Sequence, residues 1–173
     1  MYLTDPAHGL THTVEAGETT VTCAYHPTDL LVSRDLAGLP DAPIIARDSL
    51  ARAYAGKTYC TLTLTRKGAE IENAFIADRT AYQQVINYLS TGLASDVFLV
   101  TSPHDSVPAF TSLYARGFGT TGHSTILLVF DTRRLAPQQG FLLTLRGQRL
   151  GFGTLRFPFA AHDLLALPPL KYN

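Results

Sequence analysis

The chain has 173 residues, enough to bury roughly 70% of the surface its unfolded form exposes, so a packed core needs no disulfide or metal staple. Fourteen basic residues cancel fourteen acidic ones and no run of Lys and Arg occurs, which excludes nucleic acid as an expected partner. Only 16% of residues are charged against 46% hydrophobic, with Thr, Ser and Tyr supplying much of the polar surface, so the expected exterior is hydroxyl-rich rather than ionic.

In chain order, the first pattern is LTHTVEAGETTVTCAY (Leu10 to Tyr25), two alternating strands around a turn at Ala16-Gly17-Glu18. Thr28 then opens a short helix carrying Leu30, Leu31 and Leu36, closed by Gly38 and broken by LPDAP (Leu39 to Pro43). Ile44 to Ala55 has good helix propensity but a thin apolar face, and a strand reading survives there. KTYCTLTLTRKG (Lys57 to Gly68) is the clearest strand with one buried face: Thr58, Cys60, Leu62 and Leu64 alternate with an outward row of Tyr59, Thr61, Thr63 and Thr65. AEIENAFI (Ala69 to Ile76) fits neither period.

The best helix covers about 80–91. Thr80 and Gln83 have capping-box spacing, Tyr82, Val85, Ile86 and Leu89 form one stripe, and Gly92 can end it. A strand at Asp96 to Ser102, a polar loop SPHDSVP (Ser102 to Pro108) and a strand at Pro108 to Ala115 follow. The glycines of ARGFGTTGHST (Ala115 to Thr125) suggest a wide hairpin turn. They lack the Gly-Lys-Ser/Thr ending of a phosphate loop. Three dense apolar runs, His123 to Phe130, Phe141 to Leu145 and Leu155 to Phe159, read as covered strands, all of Ile126 to Phe130 being expected inside. HDLLAL (His162 to Leu167) reads as a helical turn stopped by Pro168 and Pro169. The sum is a single α+β domain over residues 1–173, with a mixed, mostly antiparallel sheet, one well-defined helix and short flanking helices.

Chemistry-bearing residues are scattered. His8, His12 and His26 can be imagined as a metal triad, but residues four apart on a strand lie about 13 Å from each other, so no metal is expected. His104, Asp105 and Ser106 sit at a strand end, with His123 at another, and are the candidate catalytic groups for a small hydrolase. Neighbours in sequence cannot by themselves converge as nucleophile, base and orienting acid. Arg146, Arg149 and Arg156 among glycines can read a carboxylate or a sugar, or belong to a solvated loop. No cofactor motif is present. Cys23 and Cys60 each share a strand face with apolar residues, Val21 and Tyr25 for the first, Leu62 and Leu64 for the second; both are expected inside, as a disulfide if their strands are neighbours or as buried free thiols.

YHPTDLLVSRDL (Tyr25 to Leu36), behind the opening TDPAHGLT, and the tail GFGTLRFPFAAHDLLALPPL (Gly151 to Leu170) together resemble small lipoproteins of Gram-negative bacteria. The shared motifs are structural and carry over no catalytic residue. The resemblance implies an acylated cysteine ahead of Tyr2 in the precursor, membrane attachment only through that lipid, and a periplasmic or outer-surface address; no lipobox stands in the chain, and a cytoplasmic address is the alternative. The expected function is a non-enzymatic accessory or binding protein of a surface assembly, acting on a protein partner or by self-association. Rival readings are the small hydrolase and a self-assembling structural subunit. A deep pocket uniting the His, Asp and Ser groups favours the hydrolase, and an exposed apolar patch favours a partner surface.

Overall fold

The computed structural model describes residues 8–38, 44–102 and 105–167. Alternation with period two organises most of it into ten strands in two sheets, with every pairing antiparallel. In the first sheet the order is β1 (Thr11–Ala16), β2 (Thr19–His26), β3 (Lys57–Arg66), β8 (Ser124–Asp131) and β7 (Thr111–Ala115), with the short β4 (Ala69–Glu70) folding back on β3. The second sheet runs β10 (Thr154–Phe159), β9 (Phe141–Arg146), β5 (Val97–Ser102) and β6 (Asp105–Pro108). The helices are α1 (Thr28–Ala37), α2 (Ile44–Tyr54), α3 (Arg79–Asn87) and α4 (Ala161–Leu165). The fold is α+β.

Each sheet buries one face against the other. Val21, Cys23, Cys60, Leu62, Leu64, Ile126, Leu128 and Phe130 come from the first sheet and meet Val97, Leu99, Leu143, Leu145, Phe157 and Phe159 of the second in one apolar cluster. The opposite face of the first sheet continues the outward threonine row expected of β3, though Tyr59 of that row is buried: Thr13, Thr22, Thr63 and Thr125 stand in register across four strands. Thr13 and Thr22 are hydrogen-bonded through their hydroxyls at 2.9 Å. At one end of that face α1 and α2 cover Tyr59 and Val129 through Leu31 and Tyr54. Gly17 makes the β1–β2 turn with φ +65°, a conformation that penalises any residue with a Cβ.

Several elements differ from the sequence expectation. Asp78, not Thr80, caps α3: its Oδ1 accepts from the backbone N–H groups of Thr80 (2.8 Å) and Ala81 (3.1 Å). Gln83 is thereby released from a capping box and donates to Asn87 Oδ1 at 3.0 Å. The expected helix to residue 91 is α-helical only to Asn87, after which Tyr88–Gly92 widens into a π turn. The Thr28 cap is also replaced, by Pro27 without a side-chain bond. Pro108 to Ala115 is two strands rather than one, and Asp105–Pro108 is strand, not polar loop. Leu127 points to the threonine face and is only half-buried, while Ile126, Leu128 and Phe130 are fully buried. Pro168 and Pro169 lie outside the described residues.

Replacing Leu128 by Ala should cost about 2–5 kcal/mol in denaturant unfolding, the range for a truncated core leucine. Leu127→Ala should cost clearly less. Equal losses would show that the strand is covered on both sides.

Candidate functional site

The residues singled out for chemistry do not converge. Asp105 and Ser106 are exposed on β6, at an outer edge of the second sheet, and His123 is exposed at the entry to β8 in the first. Among the described residues, four grooves formed by other side chains are lined by none of these three. His104 lies outside the described residues. The histidine triad is broken by strand geometry: His12 stands opposite Cys23 and so shares its inward face, where it meets the Phe159 ring edge-on at 4.9 Å, whereas His26 is an odd number of residues from Cys23 and faces outward. His26 Nε2 bonds Thr61 Oγ1 at 2.5 Å, and burial, then Arg34, lowers its pKa. Among the described residues no cluster of three or more metal-ligating side chains occurs. Of the three arginines, Arg146 stacks over Phe98 at 4.5 Å and Arg149 over Tyr88 at 5.3 Å.

Cys23 and Cys60 are both inward, fully buried and free. The register pairs Cys23 with Leu62 and Tyr25 with Cys60, so the two are diagonal rather than directly opposite. Burial, then a hydrogen bond with Cys60, pushes the Cys23 thiol well up, which keeps it protonated at neutral pH.

Two buried carboxylates that the sequence reading passed over lie in the ambiguous segment after β3. Glu70 and Glu72 are each 1% exposed. Glu70 accepts from the Gly119 amide (2.8 Å), the Thr121 hydroxyl (2.8 Å) and the Thr121 amide (3.3 Å). Glu72 accepts from Ser124 Oγ at 2.5 Å and from the Tyr114 hydroxyl. Ser124 Oγ in turn accepts from the Ile71 amide at 3.0 Å. Burial would raise Glu70, but the bonds from Gly119 and Thr121 outweigh it and hold its pKa below the usual glutamate value. Burial, then Glu72, pushes the Tyr114 hydroxyl up. A Cβ at Gly117 would come within 2.3 Å of Glu70 Oε1, so this loop must carry glycine where it passes over the carboxylate. The oxygens of Glu70 are taken up by Gly119 and Thr121 and those of Glu72 by Ser124 and Tyr114, so both side chains are committed to holding the loop. The pair fastens the β7–β8 loop. The signal for it was Glu-x-Glu at the point where β4 gives way to a 3-10 turn, Ile71–Phe75.

The remaining feature is an open sheet edge. Among the described residues, and apart from the two-residue β4, four strands lie at edges, and three are guarded in the ways natural sheets use. β1 carries the exposed Glu15, β10 carries Arg156 and Pro158, and β6 carries Asp105, Pro108 and an irregular register opposite Val100 and Ser102. β7 has no charge, no proline and no bulge. The helical segment 88–96 packs against β7, with Leu89, Leu93 and Tyr114 in one cluster, yet no backbone hydrogen bond links the two. Beside this edge Phe110 is 72% exposed and Leu113 58%. Leu113, Leu127, Leu31 and Arg34 line a groove of about 310 Å³ between α1 and the sheet. Two adjoining grooves of about 630 and 420 Å³ share Phe110, Asp131 and Arg133.

No family model matches the chain, and no curated protein or solved structure matches it either.

Glu70→Gln should destabilise the protein by about 1–3 kcal/mol at neutral pH, the cost of disturbing a buried hydrogen-bonded carboxylate. Because the folded-state pKa is depressed, the stabilisation is complete above the ordinary value of about 4.3 and is lost as pH falls through the folded value. Urea midpoints of the two proteins should therefore converge in acid. Both thiols should react with an alkylating agent only after unfolding and without reductant; a gain of about two hydrogens in intact mass on reduction would instead reveal a bridge.

Proposed function

We propose that this protein is a non-enzymatic binding module that captures an extended segment of a partner protein by adding it as a strand to β7. One observation carries the reading: β7 is the edge without a guard, and it is flanked by exposed Phe110 and Leu113. Strand addition takes affinity from main-chain hydrogen bonds and selectivity from pockets for alternate side chains. The grooves at Leu113 and Phe110 supply such pockets on the outward face. The hydrolase alternative needs convergence of groups that stand apart on different sheets. The resemblance to Gram-negative lipoproteins supports an extracytoplasmic address, where such a module serves as an accessory subunit of a surface assembly.

A neutral peptide of alternating Thr and Val, titrated into the protein, should shift the amide resonances of β7 and β8 and leave those of β10 unmoved. Leu113→Lys, which installs a guard at an exposed position, should weaken that binding by about tenfold or more and change stability by less than about 0.5 kcal/mol. Shifts spread over other strands, or unaltered binding in the variant, would reject the docking edge. A concentration-dependent mass abolished by the same variant would identify the captured strand as β7 of a second copy.

A further inference from the structure

Resting on strand addition at β7, we propose that the captured segment belongs to a partner protein and is acidic at its C-terminal end. Every pairing in both sheets is antiparallel, and antiparallel pairs are the more stable per residue. A strand added by the same rule runs against β7, so its C-terminal end arrives beside Phe110, where β7 begins. That end of the edge is where cations gather. Arg52 of α2, Lys57 at the start of β3, and Arg133 and Arg134 after β8 line the two grooves around Phe110. All four are exposed.

Among the described residues Asp131 is the only carboxylate lining either groove, and Arg133 holds it, with Nε at 2.9 Å and Nη2 at 2.5 Å. Asp48 lies one turn before Arg52 on α2 but lines neither groove. The field around Phe110 is thus positive, in a chain whose net charge is zero. At the other end, the groove lined by Leu31, Leu113 and Leu127 fits an apolar side chain from the earlier part of the same strand. Arg34, which also lines it, is paired with Asp35 at 3.5 Å, and Arg116, just past β7, donates to the Tyr82 hydroxyl at 2.9 Å and stacks over Phe118. Each exposed charge adds little affinity by itself, but a patch of one sign sets which partner is accepted and how fast it arrives.

Two peptides test this against the full chain. Both begin with Thr-Val-Thr-Val; one ends in three Glu with a free carboxylate, the other in three Lys with an amide. Fluorescence anisotropy at about 50 mM salt should show the acidic peptide binding about tenfold or more tightly, and the preference should fall to within about twofold at about 500 mM, where screening is strong. Arg52→Glu combined with Arg134→Glu, at exposed positions, should invert the preference without altering the thermal melt. Equal binding of the two peptides, lost in Leu113→Lys, overturns the acidic partner and leaves strand addition standing. Binding of neither peptide, or binding indifferent to Leu113→Lys, overturns strand addition and this inference with it.

Discussion

Two consecutive amides tie the molecule together. Ala109 N–H donates to the Val97 carbonyl of the second sheet at 2.8 Å, and Phe110 N–H donates to the Val129 carbonyl of the first at 2.7 Å. The chain therefore leaves one sheet and joins the other within a single peptide step, with Ala109 buried and Phe110 exposed. A small side chain suits the crossing point, since it lies where the two inner faces meet. This switch fixes where β6 ends and where β7 begins, and so sets the open edge, the exposed phenylalanine and the cations after β8 beside one another.

The rest of the fold holds that corner in place. Two inner faces alternating apolar residues close one core, and the burial of Phe130, Leu128 and Ile126 pins β8, the strand on which β7 hangs. At the far end of β7 the long glycine-bearing loop would be a loose hinge without an anchor. Glu70 and Glu72 provide it from a neighbouring hairpin, tying Tyr114, Thr121 and Ser124 to one short segment. Burying two carboxylates without a cation among their hydrogen-bond donors is expensive, and it is tolerated because donors from backbone and hydroxyl groups satisfy them. The result is an edge strand held at both ends.

Most of the strands were legible in the chain because their signal is local: Thr58, Cys60, Leu62 and Leu64 alternate with threonines, and no tertiary fact is needed to see it. The division into two sheets was not legible. Pro108 to Ala115 reads as one apolar strand because side-chain periodicity is silent about which partner a backbone amide finds, and the switch at Ala109 is a matter of hydrogen bonding alone. The cap of α3 was misplaced by two residues because Asp78 and Thr80 are both good caps, and geometry chose the carboxylate. The edge at β7 left even less trace, since an unguarded edge is recognised by what its sequence lacks and only once its place at the border of a sheet is known. Glu70 and Glu72 were hidden for a related reason: their donors lie 42 to 52 residues away in sequence.

Capture of a partner strand requires the backbone of β7 to be free to bond. Amide hydrogen exchange, read residue by residue in the unbound protein, tests it most directly. Alternate amides of β7, those directed away from β8, should exchange orders of magnitude faster than amides of β3 and β8, because no backbone hydrogen bond from the described residues reaches them. Uniform protection of every β7 amide, at the level of the central strands, would mean that the edge is already closed and would contradict the account.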